Sequence, residues 1–181
     1  MHKPRILSPP RAFISYRWES QEHMNWVADF AKHLARRRVD VVLDKFLDGP
    51  PLGRGRHPSE VVQRMQGCHI FIPVFTPGYL ARIVPSSKAN PHIIDDAWVF
   101  DEWQLSLHLG HNKLIETLGV LRSGDFADLP QPFNSRNTVD LRTTEDYARK
   151  LNSMAYYMRF ERAVTAPGQN LGAALDDFFD A

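Results

Sequence analysis

The residues whose types and spacing suggest chemistry are concentrated in Asp95-Asp96-Ala97-Trp98-Val99-Phe100-Asp101-Glu102-Trp103-Gln104-Leu105. Projected as a helix at about 100° per residue, Trp98, Val99, Trp103, Leu105, Leu107 and Leu109 share one broad apolar arc. Asp101, Gln104 and His108 fall on the other side. Glu102 does not join them: it projects between Trp98 and Val99, near the middle of the arc. A carboxylate on a core-facing position is costly unless it is paired, hydrogen-bonded or turned toward a ligand. Two roles are open to it, a buried anchor for a loop amide or an arginine, or a carboxylate facing a ligand.

Other reactive residue types carry less. Ser15 ends a strand-like run with no base at a readable spacing, so a serine nucleophile is unsupported. His108 and His111 stand three apart near a helix end without a third ligand, which reads as surface rather than metal. Cys68, the single cysteine, excludes an intrachain disulfide and a multi-cysteine zinc site, and at a strand start it reads as buried and inert. Gly53-x-Gly55 lacks the third glycine of a dinucleotide fingerprint. Arg36-Arg37-Arg38 closes a helix, where cations are favourable without a ligand.

The elements that must position Glu102 follow in order. Residues 1–10 carry three prolines and read as a flexible leader. A strand over 12–16 ends in a polar turn, Arg17-Trp18-Glu19-Ser20, and a helix over about 21–38 places Trp26, Val27, Phe30, Ala31 and Leu34 on one face. A second strand covers 39–43, and three glycines and three prolines then make 44–58 a long loop. Ser59 caps a short helix closed by Gly67. The near-continuous apolar run 68–75 is a strand buried on both faces, in which Pro73 predicts a locally unpaired amide. Thr76-Pro77 reads as an N-cap with proline in the first helical position. A second irregular loop, 84–96, leads into the Glu102 helix. Strands around 118–121 and 137–141 follow, and Thr143 or Thr144 caps a last helix with Tyr147, Leu151, Met154 and Tyr157 or Met158 buried. Residues 161–181 form a tail, read as a short docking helix or a linker. Alternation of strand and helix predicts an α/β domain with a five-stranded parallel sheet and helices on both faces. Ligands of such sheets sit outside the C-terminal strand ends, where the turn after Tyr16 and the start of the Glu102 helix would lie.

Composition limits the function classes. The 181 residues suffice for one domain with a substantial core, and 43% hydrophobic with 24% charged content is ordinary for a globular protein. A net charge of +1 provides no global field for nucleic acid or an anionic membrane. No apolar run approaches the roughly 20 residues of a membrane span, so a cytoplasmic protein is expected.

Ala12-Phe13-Ile14-Ser15-Tyr16-Arg17 resembles the first-strand motif of Toll/interleukin receptor (TIR) domains. The resemblance continues through Val41-Val42-Leu43-Asp44, through Ile70-Phe71-Ile72-Pro73-Val74-Phe75-Thr76-Pro77-Gly78-Tyr79-Leu80, and through the tryptophan, three residues, glutamate signature Trp98-Val99-Phe100-Asp101-Glu102. It covers about residues 11–160. His23-x-x-Trp26-Val27 with Leu43-Asp44 is also similar to the related SEFIR branch of bacteria.

The resemblance implies a flavodoxin-like fold and, in catalytic members, cleavage of the nicotinamide–ribose bond of NAD+, which is substrate rather than cofactor. It carries the catalytic glutamate over to Glu102 and its aromatic partner to Trp98. It places Phe13, Ser15, Tyr16 and Arg17 beside the ribose and phosphates, with Asp44 and Lys45 as polar contributors from the long loop. Nicotinamide leaves as a neutral molecule, so one carboxylate suffices to stabilise the oxocarbenium-like ribose, and no metal is required. The product is ADP-ribose or a cyclic isomer. The resemblance further implies self-association, a separate sensor or effector protein as partner, and a place in bacterial antiphage defence. The other reading is a non-catalytic TIR or SEFIR adaptor acting by homotypic contacts. A response-regulator receiver is excluded because Tyr16-Arg17 and Phe75-Thr76 occupy the places of its aspartates.

Overall fold

The computed structural model describes residues 9–43, 63–83 and 97–160. Within them the elements are β1 (Arg11–Ser15), α1 (Gln21–Ala35), β2 (Asp40–Leu43), β3 (Ile70–Phe75), α2 (Pro77–Ile83), α3 (Ala97–His111), β4 (Glu116–Thr117), β5 (Gly119–Leu121), β6 (Thr138–Asp140) and α4 (Tyr147–Phe160). The strands lie in the order β2-β1-β3-β5-β6, with β4 also on β3, and every pairing is parallel.

β4 and β5 are one strand in two pieces. Ile70 pairs with Glu116 and Val74 with Val120, the same offset, so the register continues across Leu118. The Phe71 and Phe75 carbonyls accept from Leu118 N and Arg122 N, which puts the odd-numbered residues of β3 toward this neighbour. Pro73 falls on that side without an N–H to donate, and the ladder breaks opposite it. The expected five-stranded sheet therefore stands, with its fourth strand interrupted by the proline.

Alternation along the strands sorts the core into two layers. Even positions Ala12, Ile14, Ile70, Ile72, Val74 and Val120 pack with Val27, Phe30 and Leu34 of α1 and Leu151, Met154 and Met158 of α4. Odd positions Phe13, Phe71, Phe75 and Leu121 pack with Tyr79 of α2 and Val99, Trp103, Leu105 and Leu109 of α3. Helices thus cover both faces, the doubly wound arrangement.

Local signals set the helix ends. Ser20 accepts from His23 N at 3.1 Å to cap α1, and the Thr76 hydroxyl accepts from Tyr79 N at 3.0 Å to cap α2. α1 stops at Ala35, short of the expected 38, because Arg38 turns left-handed at φ 63°. One projected apolar position is wrong: Leu107 is 44% exposed. Its place is taken by Ser106, fully buried with its hydroxyl donated to the Trp103 carbonyl at 2.7 Å. Among the described residues no helix is long and apolar enough to cross a membrane.

Candidate active site

The candidate site forms where β1 ends under α3. Phe13 and Ser15, two apart, face the same side. Phe13 is fully buried and its ring stacks parallel on Phe71 at 6.0 Å. Ser15 pairs in register with Pro73 at the C-terminal edge of the sheet. On α3 the buried stripe runs Val99, Glu102, Trp103, Ser106 and Leu109, the spacing of one helix face. Glu102 therefore enters the interior and is only 4% exposed.

The Ser15 hydroxyl donates to Glu102 Oε2 at 2.6 Å, a short, charge-assisted bond. Ser15 Oγ also lies 2.9 Å from the Tyr79 hydroxyl. Serine has one proton and it goes to the carboxylate, so Tyr79 donates and Ser15 accepts. Tyr79 is fully buried. Burial pushes its phenol well above the ordinary tyrosine range, and the Glu102 charge adds to this against the opposing Ser15 bond. The phenol stays protonated, which fixes the direction of the relay: Tyr79 to Ser15 to Glu102. Such a chain polarises each member and holds the carboxylate in one orientation. The Tyr79 ring is itself fixed edge-on against Phe75 at 5.8 Å.

A second polar group borders this edge. Glu19 Oε1 accepts from the Thr76 hydroxyl at 2.6 Å. Glu19 and Arg17 lie over Gly78, where an added Cβ would meet Glu19 Oε1 and sit 2.6 Å from Arg17 Nη1. Glycine at 78 thus admits two charged side chains at the start of α2. Beyond β5, Arg122 stacks over the Trp26 ring at 5.0 Å and approaches Glu22 at 3.8 Å.

Ser15 and Glu102 are in direct contact, and Arg17 is in the adjoining turn. Phe13 supports the site from below as core. Tyr16 turns to the opposite layer, packed with α1 and against the His23 ring at 6.2 Å. Trp98 lies in the first turn of α3, one turn before Glu102; its side chain, together with Asp44 and Lys45, lies outside the described residues. Cys68 is buried with its thiol pushed up to about 12 by burial, in keeping with an inert role. Sequence reasoning missed Tyr79, Thr76, Glu19 and Gly78. The signal was a tyrosine, not a phenylalanine, three residues after a threonine cap in an otherwise apolar run.

A family model described as TIR domain matches residues 12–154. No curated protein matches the chain.

Proposed function

The chain belongs to the TIR domain family, and within it we propose that this protein is an NAD+ glycohydrolase with Glu102 as its catalytic carboxylate. The observation that supports this most is the buried Glu102–Ser15–Tyr79 relay. A carboxylate in the interior costs on the order of several kcal/mol in desolvation, a cost that a substrate-facing role explains. An oriented carboxylate in a low-dielectric setting stabilises positive charge far better than one in water.

In the reaction the C1′–nitrogen bond of the nicotinamide riboside unit breaks and its electron pair leaves with nicotinamide. Glu102 stabilises the resulting cationic ribose. Water adds at C1′ and releases a proton to give ADP-ribose, or an internal nucleophile closes a cyclic isomer. Arg17, in the turn after Ser15, is suited to the phosphates. Trp98, one helical turn before Glu102, is suited to stack on the substrate. We assign the activity to the bacterial TIR/SEFIR branch, in the cytoplasm, switched on by self-association or a separate sensor protein during phage infection.

A non-catalytic interaction module is the second reading. It is favoured by the deep burial of Glu102 and the engagement of its Oε2 by Ser15. The two readings part on Glu102→Gln, which keeps an oxygen to accept from Ser15, removes the charge and turns the other oxygen into an NH2 donor. For the enzyme, concentrated wild-type protein releases nicotinamide from NAD+, whereas Glu102→Gln and Glu102→Ala lose at least about a hundredfold in rate, of the order seen when a key electrostatic group is lost. Absence of nicotinamide release from wild-type protein under conditions where it self-associates excludes the enzyme. Activity rising more steeply than protein concentration supports gating by assembly, and the mass of the product separates hydrolysis from cyclisation.

A further inference from the structure

The edge of the sheet opposite Glu102 holds a second candidate site. α1 and α4 both follow strands of a parallel sheet and pack on the same face, so their C-terminal ends meet at the N-terminal strand edge. Between them lies a cleft of about 260 Å³ lined by Arg36, Arg37, Arg38, Asn152, Tyr156 and Arg159. We propose that this cleft binds a small phosphorylated ligand through its phosphoryl groups.

Four arginines line one concave volume, and among the described residues none of the four forms an ion pair, while the Arg159 guanidinium lies over the Phe160 ring at 4.7 Å. Helix C-termini attract cations. That attraction does not require residues from two helices to face one cleft. Arg37 is already set: its Nε donates to Asn152 Oδ1 at 2.8 Å and its Nη1 to the His33 carbonyl at 2.9 Å. A guanidinium fixed in this way loses little further freedom on binding. The planar fork of arginine matches phosphate oxygens in pairs. Tyr156, 56% exposed, offers an aromatic face at the rim, on which a base can stack.

The ligand class follows from size and charge. The cleft is slightly below the about 300–1,000 Å³ of small-molecule sites and suits a pyrophosphate with part of a nucleoside. A nucleic-acid surface would be an extended basic stripe on a strongly basic domain, whereas this chain has a net charge of +1.

The test is titration calorimetry on the full 181-residue chain with inorganic pyrophosphate, ATP, succinate as a dianion without phosphorus, and a single-stranded oligonucleotide. Pyrophosphate and ATP bind, with ATP tighter if Tyr156 stacks the base, and succinate is at least about tenfold weaker. Combining Arg38→Ala with Arg159→Ala weakens pyrophosphate at least about tenfold while circular dichroism and melting temperature hold. If that variant fails to fold, Arg38→Lys with Arg159→Lys replaces it; charge is kept, the fork is lost, and affinity still falls. Arg17→Ala, which removes the guanidinium assigned to the substrate phosphates, leaves pyrophosphate binding unchanged, which separates this cleft from the active site. The proposal is overturned if pyrophosphate does not bind, if the arginine variants bind it as wild type does, if succinate binds equally well, or if only the oligonucleotide binds.

Discussion

At the scale of single residues, the relay Tyr79–Ser15–Glu102 makes a thermodynamic prediction independent of catalysis. Ser15→Ala removes the donor to Glu102 Oε2 and the acceptor for Tyr79, and leaves the buried phenol without this partner. An unsatisfied buried group costs about 1–3 kcal/mol, so Ser15→Ala should lower unfolding free energy by about 2 kcal/mol or more. Tyr79→Phe removes one hydroxyl and leaves the Ser15–Glu102 bond intact, so its cost is smaller. The double variant should cost less than the sum of the two, because the orphaned phenol is then gone. Denaturant unfolding of the four proteins measures this; strict additivity would mean that the Ser15–Tyr79 bond contributes nothing. The same residues show how far a sequence reveals a site. Glu102 stood out because it broke a helical stripe, a conflict visible without coordinates. Ser15 had no such mark and was reached only through the family motif. Phe13, Ser15 and Tyr16 came together from that motif, yet strand alternation sends Tyr16 to the other face. Period-two geometry, applied to three neighbours, would have separated them beforehand.

At the scale of elements, the strand–helix order and the cap of α2 were legible because each rests on local chemistry: β-branched runs and Thr76-Pro77 before α2. The Ser20 cap of α1 emerged only with the fold. The interruption between β4 and β5 was signalled by Pro73 but located only once the register was known, because the missing amide disrupts the neighbouring strand, not its own. Gly119 is another feature set by tertiary packing. A Cβ there would lie 2.6 Å from Phe75 Cε2, 2.9 Å from Thr138 Oγ1 and 3.3 Å from Phe133 Cδ1. The Phe75 ring cannot swing aside freely, since it is packed by Tyr79, Trp103 and Phe133 at 5.8, 6.1 and 5.5 Å. Gly119→Ala is therefore expected to destabilise the fold by about 1–3 kcal/mol through overpacking. Because Phe75 supports the Tyr79 ring, the strain also reaches the relay. Thermal unfolding gives the first effect. A change in Tyr79 fluorescence or its hydroxyl exchange gives the second, and wild-type stability for Gly119→Ala would contradict the packing described here.

At the scale of the whole molecule, the sheet separates two polar edges: the C-terminal one carries the carboxylate relay, and the N-terminal one the arginine cleft. The edge around α1 also makes the stability of the fold depend on pH. His23, in the first turn of α1, is 7% exposed, and its Nε2 has no hydrogen-bond partner among the described residues. Burial lowers its pKa from 6.5; Glu19 opposes this, Arg122 assists it, and Glu22 opposes it more weakly. The folded protein thus holds His23 neutral at a pH where the unfolded chain already takes up the proton. Because the unfolded state binds more protons in that window, stability is intact above the unfolded value and is lost as pH falls through 6.5 toward the folded value. The slope within the window is at most about 1.4 kcal/mol per pH unit. The carboxylates of exposed Asp29 and Asp146 and half-buried Asp140, lowered by their basic neighbours, act at lower pH, below 3.8. Denaturant unfolding at pH 7.5, 6.5 and 5.5 should show wild type losing stability on acidification. His23→Phe retains a ring against Tyr16, removes the titration, and should flatten the curve over that range. A parallel decline in the two proteins would assign the pH dependence to other groups.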